Sequence, residues 1–223
     1  MSKTSLTILL FATTIFLGFY SMYRVSQPRI LSESEMLVNG FVEYGEYEEL
    51  RDFKLTDHNG NEFTNENLKQ NKLNFLYFGY TSCPTECPVM MSVMRQIYDK
   101  IEVDQVQYYL ISFDPEIDTK ERLKAYVTGF NPAFIGITGD QPEVIKLGYQ
   151  LGVEKLAPME NHMNQRIISH TNHLIVVNQD AEVIGIFRGH FESSNMALVS
   201  KCLLRTIYKL HICNIQAPLL LLG

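Results

Sequence analysis

Apolar residues along this chain fall into blocks whose spacing changes from segment to segment, and each spacing implies a different element. The first block is unbroken: between Lys3 and Arg24 stand 20 residues without a charge, among them Leu6, Leu9, Leu10, Phe11, Ile15 and Phe16. A helix of that length rises about 30 Å, the thickness of a bilayer's hydrocarbon core. Residues 24–49 are Ser/Glu-rich and weakly apolar, the texture of a tether. Phe53, Leu55 and Phe63 then flank Asn59-Gly60, which tolerates the positive φ of a tight hairpin turn. Leu73 to Phe78 is nearly all apolar and stops at Gly79, as expected of a central strand buried on both faces. Val89, Met90, Val93, Met94, Ile97 and Ile101 recur at helical spacing behind Pro88, whose missing N–H is harmless in a first turn.

Strand and helix patterns continue to alternate. Val106 to Phe113 reads as a strand, Thr119 to Thr128 as an amphipathic helix, Phe134 to Thr138 as a strand and Pro142 to Leu151 as a helix. Leu174 to Val177 and Val183 to Phe187, joined through Asn178-Gln179-Asp180-Ala181, form a closing hairpin before a helix from Ser194 to Leu210. This order predicts an α/β domain with a mostly parallel sheet and helical cover. The division expected is an anchor over 1–23, a tether over 24–49, one domain over 50–211 and a tail over 212–223.

Composition narrows the function classes. Hydrophobic residues are 46% of the 223 and charged ones 20%, so a real interior can form and a disordered polymer is excluded. Lys+Arg 19 against Asp+Glu 25 leaves a charge of −6, the wrong sign for binding nucleic acid through its phosphates. No small-x-small cleavage site follows the apolar stretch, where Tyr20, Met22 and Tyr23 suit interfacial positions; a retained anchor is expected rather than a cleaved signal. Lys3 on one side is matched by Arg24 and Arg29 on the other, so flanking charge leaves the topology open.

Four cysteines are too few for a disulfide-stapled scaffold, and two of them sit in an unusual place. Cys83 and Cys87 occupy a loop bracketed by Pro84 and Pro88, between the buried strand and the following helix. Unpaired backbone N–H groups and the helix dipole at such a junction favour a thiolate. The i, i+4 spacing lets the two sulfurs close a disulfide or grip one metal ion, if the helix reaches back to Cys83. Zinc wants four ligands and no second Cys pair supplies them; a low-coordinate copper site with one imidazole suits the chemistry better. Met90, Met91 and Met94 share the helical spacing of a core rather than of a metal box. Cys202 and Cys213 would lie about 16 Å apart on one continuous helix, beyond disulfide reach, and Cys202 reads as a buried apolar residue.

Which histidine completes such a site is open between His170 and His173, which strand alternation would send to opposite faces. His162, with Met159 and Met163, lies in a loop that reads as solvated; His58, His190 and His211 read as surface residues. Asp114 ends a strand on the same sheet edge as the cysteines, as a cap or as a carboxylate supporting the site.

Three segments in order carry a resemblance. Phe78-Gly79-Tyr80-Thr81-Ser82-Cys83-Pro84-Thr85-Glu86-Cys87-Pro88 resembles the Cys-Pro-x-x-Cys-Pro motif of the Sco/SenC copper proteins. The stretch Asp114-Pro115-Glu116-Ile117-Asp118-Thr119 is similar to that family's Asp-Pro-x-x-Asp-Thr segment, and Ser169-His170-Thr171 to its histidine segment. Ser169 stands where the family commonly has Asp, and Thr85 where it often has an acid. The resemblance implies a thioredoxin-like fold with a mixed sheet, an N-terminal hairpin and a single membrane anchor, and copper, Cu(I) or Cu(II), held by Cys83, Cys87 and His170. It further implies a chaperone serving the copper centre of cytochrome c oxidase, with subunit II or another recipient as partner. Periplasmic thiol-disulfide or copper-carrier proteins would be further partners, and the domain would face the periplasm from the inner membrane. Under a rival reading the same cysteines form the redox-active pair of a thiol-disulfide reductase, which needs no histidine.

Overall fold

The structure, a computed structural model, describes residues 3–26, 30–101, 103–162, 166–189 and 192–213. It divides into two units, residues 1–30 and residues 31–223. The first holds helix α1 (Lys3–Ser26). Its stretch Thr4–Tyr23 is long and apolar enough to cross a membrane, with mean hydropathy 1.7. Thr7, Thr13 and Thr14 turn their hydroxyls back onto carbonyls of the preceding turn, at Thr4, Leu10 and Phe11, so their polarity is met within the helix.

The second unit begins where a tether was expected. Ser32 and Glu35 form a reciprocal capping box, the Glu35 N–H donating to the Ser32 hydroxyl and the Ser32 N–H to the Glu35 carboxylate, and start α2 (Glu33–Val38). Strand β1 (Phe41–Glu49) follows. The sequence reading missed both because β1 fully buries only Phe41, half-buries Val42 and Tyr44, and is otherwise rich in exposed glutamates. What recruits it is distant in sequence. The strand pairs antiparallel with β10 (Glu182–Phe187), where the Phe41 and Phe187 rings meet at 4.9 Å. A Cβ at Gly185 would stand 2.4 Å from the Val42 carbonyl oxygen, so the close approach requires a residue without one.

Between them run β2 (Leu55–Asp57), β3 (Glu62–Phe63), β4 (Leu73–Gly79), α3 (Glu86–Tyr98), β5 (Val106–Ser112), α4 (Lys120–Phe130), β6 (Ile135–Thr138) and α5 (Gln141–Gln150). A minor ribbon, β7 (Met159–Glu160) with β8 (Arg166–Ile167), precedes β9 (Leu174–Val177), and α6 (Ser193–Cys213) ends the described chain. The main sheet has the order β1-β10-β9-β4-β5-β6-β2-β3. Among the described residues only the β4–β5 and β5–β6 pairings are parallel, so the sheet is mixed rather than mostly parallel. The reason is connection length: crossover helices join the parallel centre, while hairpins add antiparallel strands at both flanks.

Alternation along the central strands builds one core on each face. Phe75, Tyr77, Tyr108 and Leu110 pack with α3, α4 and α6; Leu76, Phe78, Tyr109 and Ile111 pack with α5 and the β2–β3 hairpin. Met90, Met91 and Met94 are fully enclosed in the first core, as their spacing predicted, whereas Val89 is 61% exposed. Cys202 is buried and its sulfur accepts the Leu31 N–H at 3.2 Å. His58 corrects the sequence reading. It is buried, and its Nδ1 accepts the Gly136 N–H at 3.0 Å, because its own backbone N–H also pairs with the Gly136 carbonyl at the edge of β6. Burial draws its pKa below the ordinary range. His190 and the C-terminal tail beyond Cys213 lie outside the described residues, as does Met163.

Candidate metal centre

The chain leaves the central sheet at Gly79, turns through Tyr80 and enters α3 at Glu86. The helix does not reach back to Cys83. Thr85, in the capping position, makes no side-chain cap, and the Cys83 sulfur takes over that role by accepting the Cys87 N–H at 3.4 Å. A thiolate at a helix N-terminus is stabilised by those orphan donors and the dipole. The Cys83 pKa is accordingly lowered to about 5, first by a hydrogen bond from the Cys87 thiol and then by backbone N–H groups of the turn, against the opposing effect of burial. Cys87 is pushed strongly the other way by that same hydrogen bond and by burial. Both cysteines are unbonded thiols. The packing around Cys87 is tight: a Cβ on Gly79 would stand 3.0 Å from its sulfur.

The irregular cysteine loop is held by a residue from the loop that follows the next strand, β5. Asp118, wholly buried, accepts the Thr81 N–H at 3.0 Å and the Thr81 hydroxyl on its other oxygen, and the Ser112 hydroxyl at 2.6 Å. Arg122 reaches the same Thr81 oxygen at 2.6 Å. Asp118 was legible only as part of the Asp114–Thr119 segment that carries the family resemblance; its role needs the parallel β4–β5 register, which brings Gly79 opposite Ser112.

The histidine arrives on a long excursion between α5 and β9. His170 bridges antiparallel to Lys155, flanked by the Leu156 N–H to the Ser169 carbonyl (2.8 Å) and the Thr171 N–H to the Glu154 carbonyl (2.9 Å). Two further ties come from the cysteine side. Ile168 donates its N–H to the Tyr80 hydroxyl at 3.1 Å, and Arg166 clasps the buried Asp114 with two bonds of 3.0 and 3.1 Å. Asp114 is therefore the buried anchor of the histidine loop rather than a simple strand cap. Lys155 adds a bond to the Phe113 carbonyl at 3.1 Å, and burial lowers its pKa.

The His170 ring lies edgewise to both Tyr77 and Tyr80, at 6.3 Å from each, and 5.5 Å from Phe113. Its Nδ1 stands 2.9 Å from the Thr171 carbonyl. A carbonyl only accepts, so Nδ1 carries the proton and Nε2 keeps its lone pair. Tyr77 and Tyr80 each also neighbour one sulfur, Tyr77 that of Cys87 and Tyr80 that of Cys83. Burial first, and then these sulfurs, raise both phenols, Tyr80 to about 12. Histidine and cysteines thus share two aromatic neighbours at one end of the sheet. Among the described residues no group of three His, Cys, Asp or Glu side chains is drawn together closely enough to hold a metal ion. His173 is partly buried, its pKa lowered by burial and then by Arg188. His162 and Met159 are exposed.

A family model described as SCO1/SenC matches residues 43–205 of this sequence, which takes in both cysteines, Asp118 and His170. The chain belongs to the SCO1/SenC family. Within that family it is 32% identical over 178 residues to Protein SCO2, mitochondrial, of Saccharomyces cerevisiae, covering 77% of this chain and 58% of that one. It is 32% identical over 139 residues to the human mitochondrial SCO1 homolog, covering 60% of this chain and 46% of that one. The chain thus spans about half the length of these two relatives. Among solved structures, Arabidopsis thaliana ScoI with copper bound aligns with TM-score 0.64 and 26% identity, over 70% of this chain and 98% of that one. The thioredoxin-like, mixed-sheet fold expected from the resemblance is the fold observed.

Proposed function

We propose that this chain is a membrane-anchored copper chaperone that carries one copper ion on Cys83, Cys87 and His170 and delivers it during assembly of the cytochrome c oxidase copper centre. The observation that carries this reading is the sulfur pair, one member drawn to about 5, at the same sheet end as an imidazole whose Nε2 is free to ligate. Relatives point the same way: the Arabidopsis and Bradyrhizobium japonicum ScoI structures hold copper. Two soft thiolates and one nitrogen satisfy Cu(I), while Cu(II) requires a further oxygen or nitrogen ligand. Delivery is ligand exchange without electron transfer: Cu(I) gives up its bonds to the chain's sulfurs as bonds to the recipient's ligands form. Tyr77 and Tyr80, which neighbour both the imidazole and the sulfurs, would guide His170 as it closes onto the cysteines around the ion, and the loop ties at Arg166 and Ile168 would set its approach. Helix α1 would hold the domain at the inner membrane, on the periplasmic side.

The test is a Cu(I) titration of the reduced full chain in detergent, with X-ray absorption to count ligands. One equivalent bound through two sulfurs and one nitrogen is expected, lost in Cys83→Ser and Cys87→Ser and weakened in His170→Ala. An unchanged ligand count and affinity in His170→Ala would remove the histidine from the site. The divergent thiols also favour a second reading, since a low-pKa attacking thiol beside a protonated resolving thiol suits reduction of a partner's disulfide. That activity would survive His170→Ala, whereas delivery would not.

A further inference from the structure

Away from the sulfur pair, the outer face of α5 forms a groove of about 700 Å³ whose floor is Pro142, Ile145 and Tyr149 and whose rim carries Arg51 and Lys146. The side chains of Gln141 and Gln150 also line it, and their Nε2 atoms lie buried beneath its surface without a hydrogen-bond partner. For Gln150 the orientation is set, because its Oε1 accepts the Arg51 N–H at 2.8 Å and so commits Nε2 to the donor role. Ile145 and Tyr149 continue into a smaller pocket with Phe113, Lys155 and Leu156, which ends at the Phe113 ring beside His170. Tyr149 is 70% exposed and Leu156 61%. A chain with net charge −6 thus presents, along one apolar strip leading to the proposed metal site, Arg51, Lys146 and Lys155; Lys146 is paired with Glu143 at 3.5 Å, Lys155 is bonded to the Phe113 carbonyl, and Glu154 is the carboxylate that lines the strip itself.

We infer that this strip is the docking surface for the protein that exchanges copper with this chain, and that the partner presents carboxylates beside apolar side chains. The inference rests on the copper-delivery reading and names the face through which delivery occurs. Complementary charge of this kind acts mainly on the encounter rate and on orientation, while exposed aromatic and aliphatic groups supply the contact that is desolvated. An acidic side chain entering the groove would meet Arg51 and Lys146 at its rim, competing with Glu143 for the second. The strip's far end would then set the partner's metal ligands next to His170.

The decisive experiment follows Cu(I) transfer by stopped flow from the copper-loaded full chain to the soluble copper domain of the oxidase subunit. Transfer to a small-molecule chelator runs in parallel. The variants are the double charge reversal Arg51→Glu/Lys146→Glu and, separately, Tyr149→Ala, each checked by circular dichroism. The expectation is a fall of about tenfold in the second-order transfer rate for the double variant, with a weaker salt dependence, and a smaller fall for Tyr149→Ala. Copper affinity and loss to the chelator should stay as in the unmodified chain. Unchanged transfer to the protein acceptor in both variants overturns the inference, as does an equal fall toward the chelator, which would mark a structural effect. A concentration-dependent dimer abolished by the charge reversal also overturns it, since the strip would then cover itself. If the unmodified chain binds copper and transfers it, but the variants behave identically, only the docking surface fails; if the unmodified chain retains no copper, the delivery reading fails with it.

Discussion

The cysteine loop and the histidine loop meet at one end of the sheet but are held by different means. The first is a short turn between a strand buried on both faces and a helix that begins at Glu86, and its shape follows from its neighbours in sequence plus one buried carboxylate, Asp118. The second is a long excursion from the end of α5 to the start of β9, in which Leu151, Val153 and Ile168 are the buried apolar residues among those described. Its position depends on single polar ties: Arg166 to Asp114, Ile168 to Tyr80 and Lys155 to Phe113. Held this way, the cysteine loop is the fixed half and the histidine loop the half that opens first, because local opening draws on the segment with the fewest buried contacts.

The largest effect should come from breaking the fixed half. Asp118→Ala removes the acceptor for the Thr81 N–H, the Thr81 hydroxyl and the Ser112 hydroxyl at once, leaving them inside the protein. A loss of about 3–5 kcal/mol is expected from deleting one partner of such a buried charged network. Urea denaturation of the detergent-solubilised chain measures it; a loss below about 1 kcal/mol would mean that the cysteine loop holds itself.

Arg166→Ala should be smaller in global stability and sharper in location. It strands the buried Asp114 carboxylate, partly offset by nearby Lys155, at about 2–4 kcal/mol. Hydrogen exchange should quicken at the Leu156 and Ile168 amides, while the Thr81 amide stays protected by Asp118. Equal acceleration at Thr81 would erase the distinction between the two halves.

The smallest effect concerns pH. The folded Cys83 thiol sits below its unfolded value, so the stability it contributes is present above the ordinary thiol range and is lost as pH falls toward about 5. Alkylation of Cys83 by iodoacetamide should hold a plateau at neutral pH and decline around pH 5, with Cys87 slow throughout. A midpoint at the ordinary thiol value of about 8.5 would show that the turn exerts no pull on the sulfur.

These two halves also differ in how far the sequence discloses them. The Cys83–Cys87 spacing, the apolar run before it and Pro88 after it place the sulfur pair at a strand-to-helix junction from local pattern alone, and the methionines of α3 declare themselves core by their period. The partners of the histidine loop carry no such signal: Arg166 and Asp114 are two charged residues 52 positions apart, paired only because β5 and the loop end side by side. Tyr80 gives a hint, as a large aromatic directly before the cysteines, yet its hydroxyl's partner at Ile168 lies 88 residues away. His58 was misjudged for the same reason, since a hairpin turn is normally exposed and only the β6 edge encloses this one.

The amino-acid pattern by itself determined the membrane-length helix, the α/β alternation, the closing hairpin and the chemistry of the sulfur pair. All of these arise from periodicity or from contacts within a few residues. Tertiary structure alone decided that residues 33–49 join the fold as a capped helix and an edge strand, admitted by the missing side chain at Gly185. It also decided which buried carboxylate anchors which loop, and that an amide-lined, cation-rimmed strip runs toward His170. Those outcomes depend on which distant segments pack together, and no local free-energy preference encodes that.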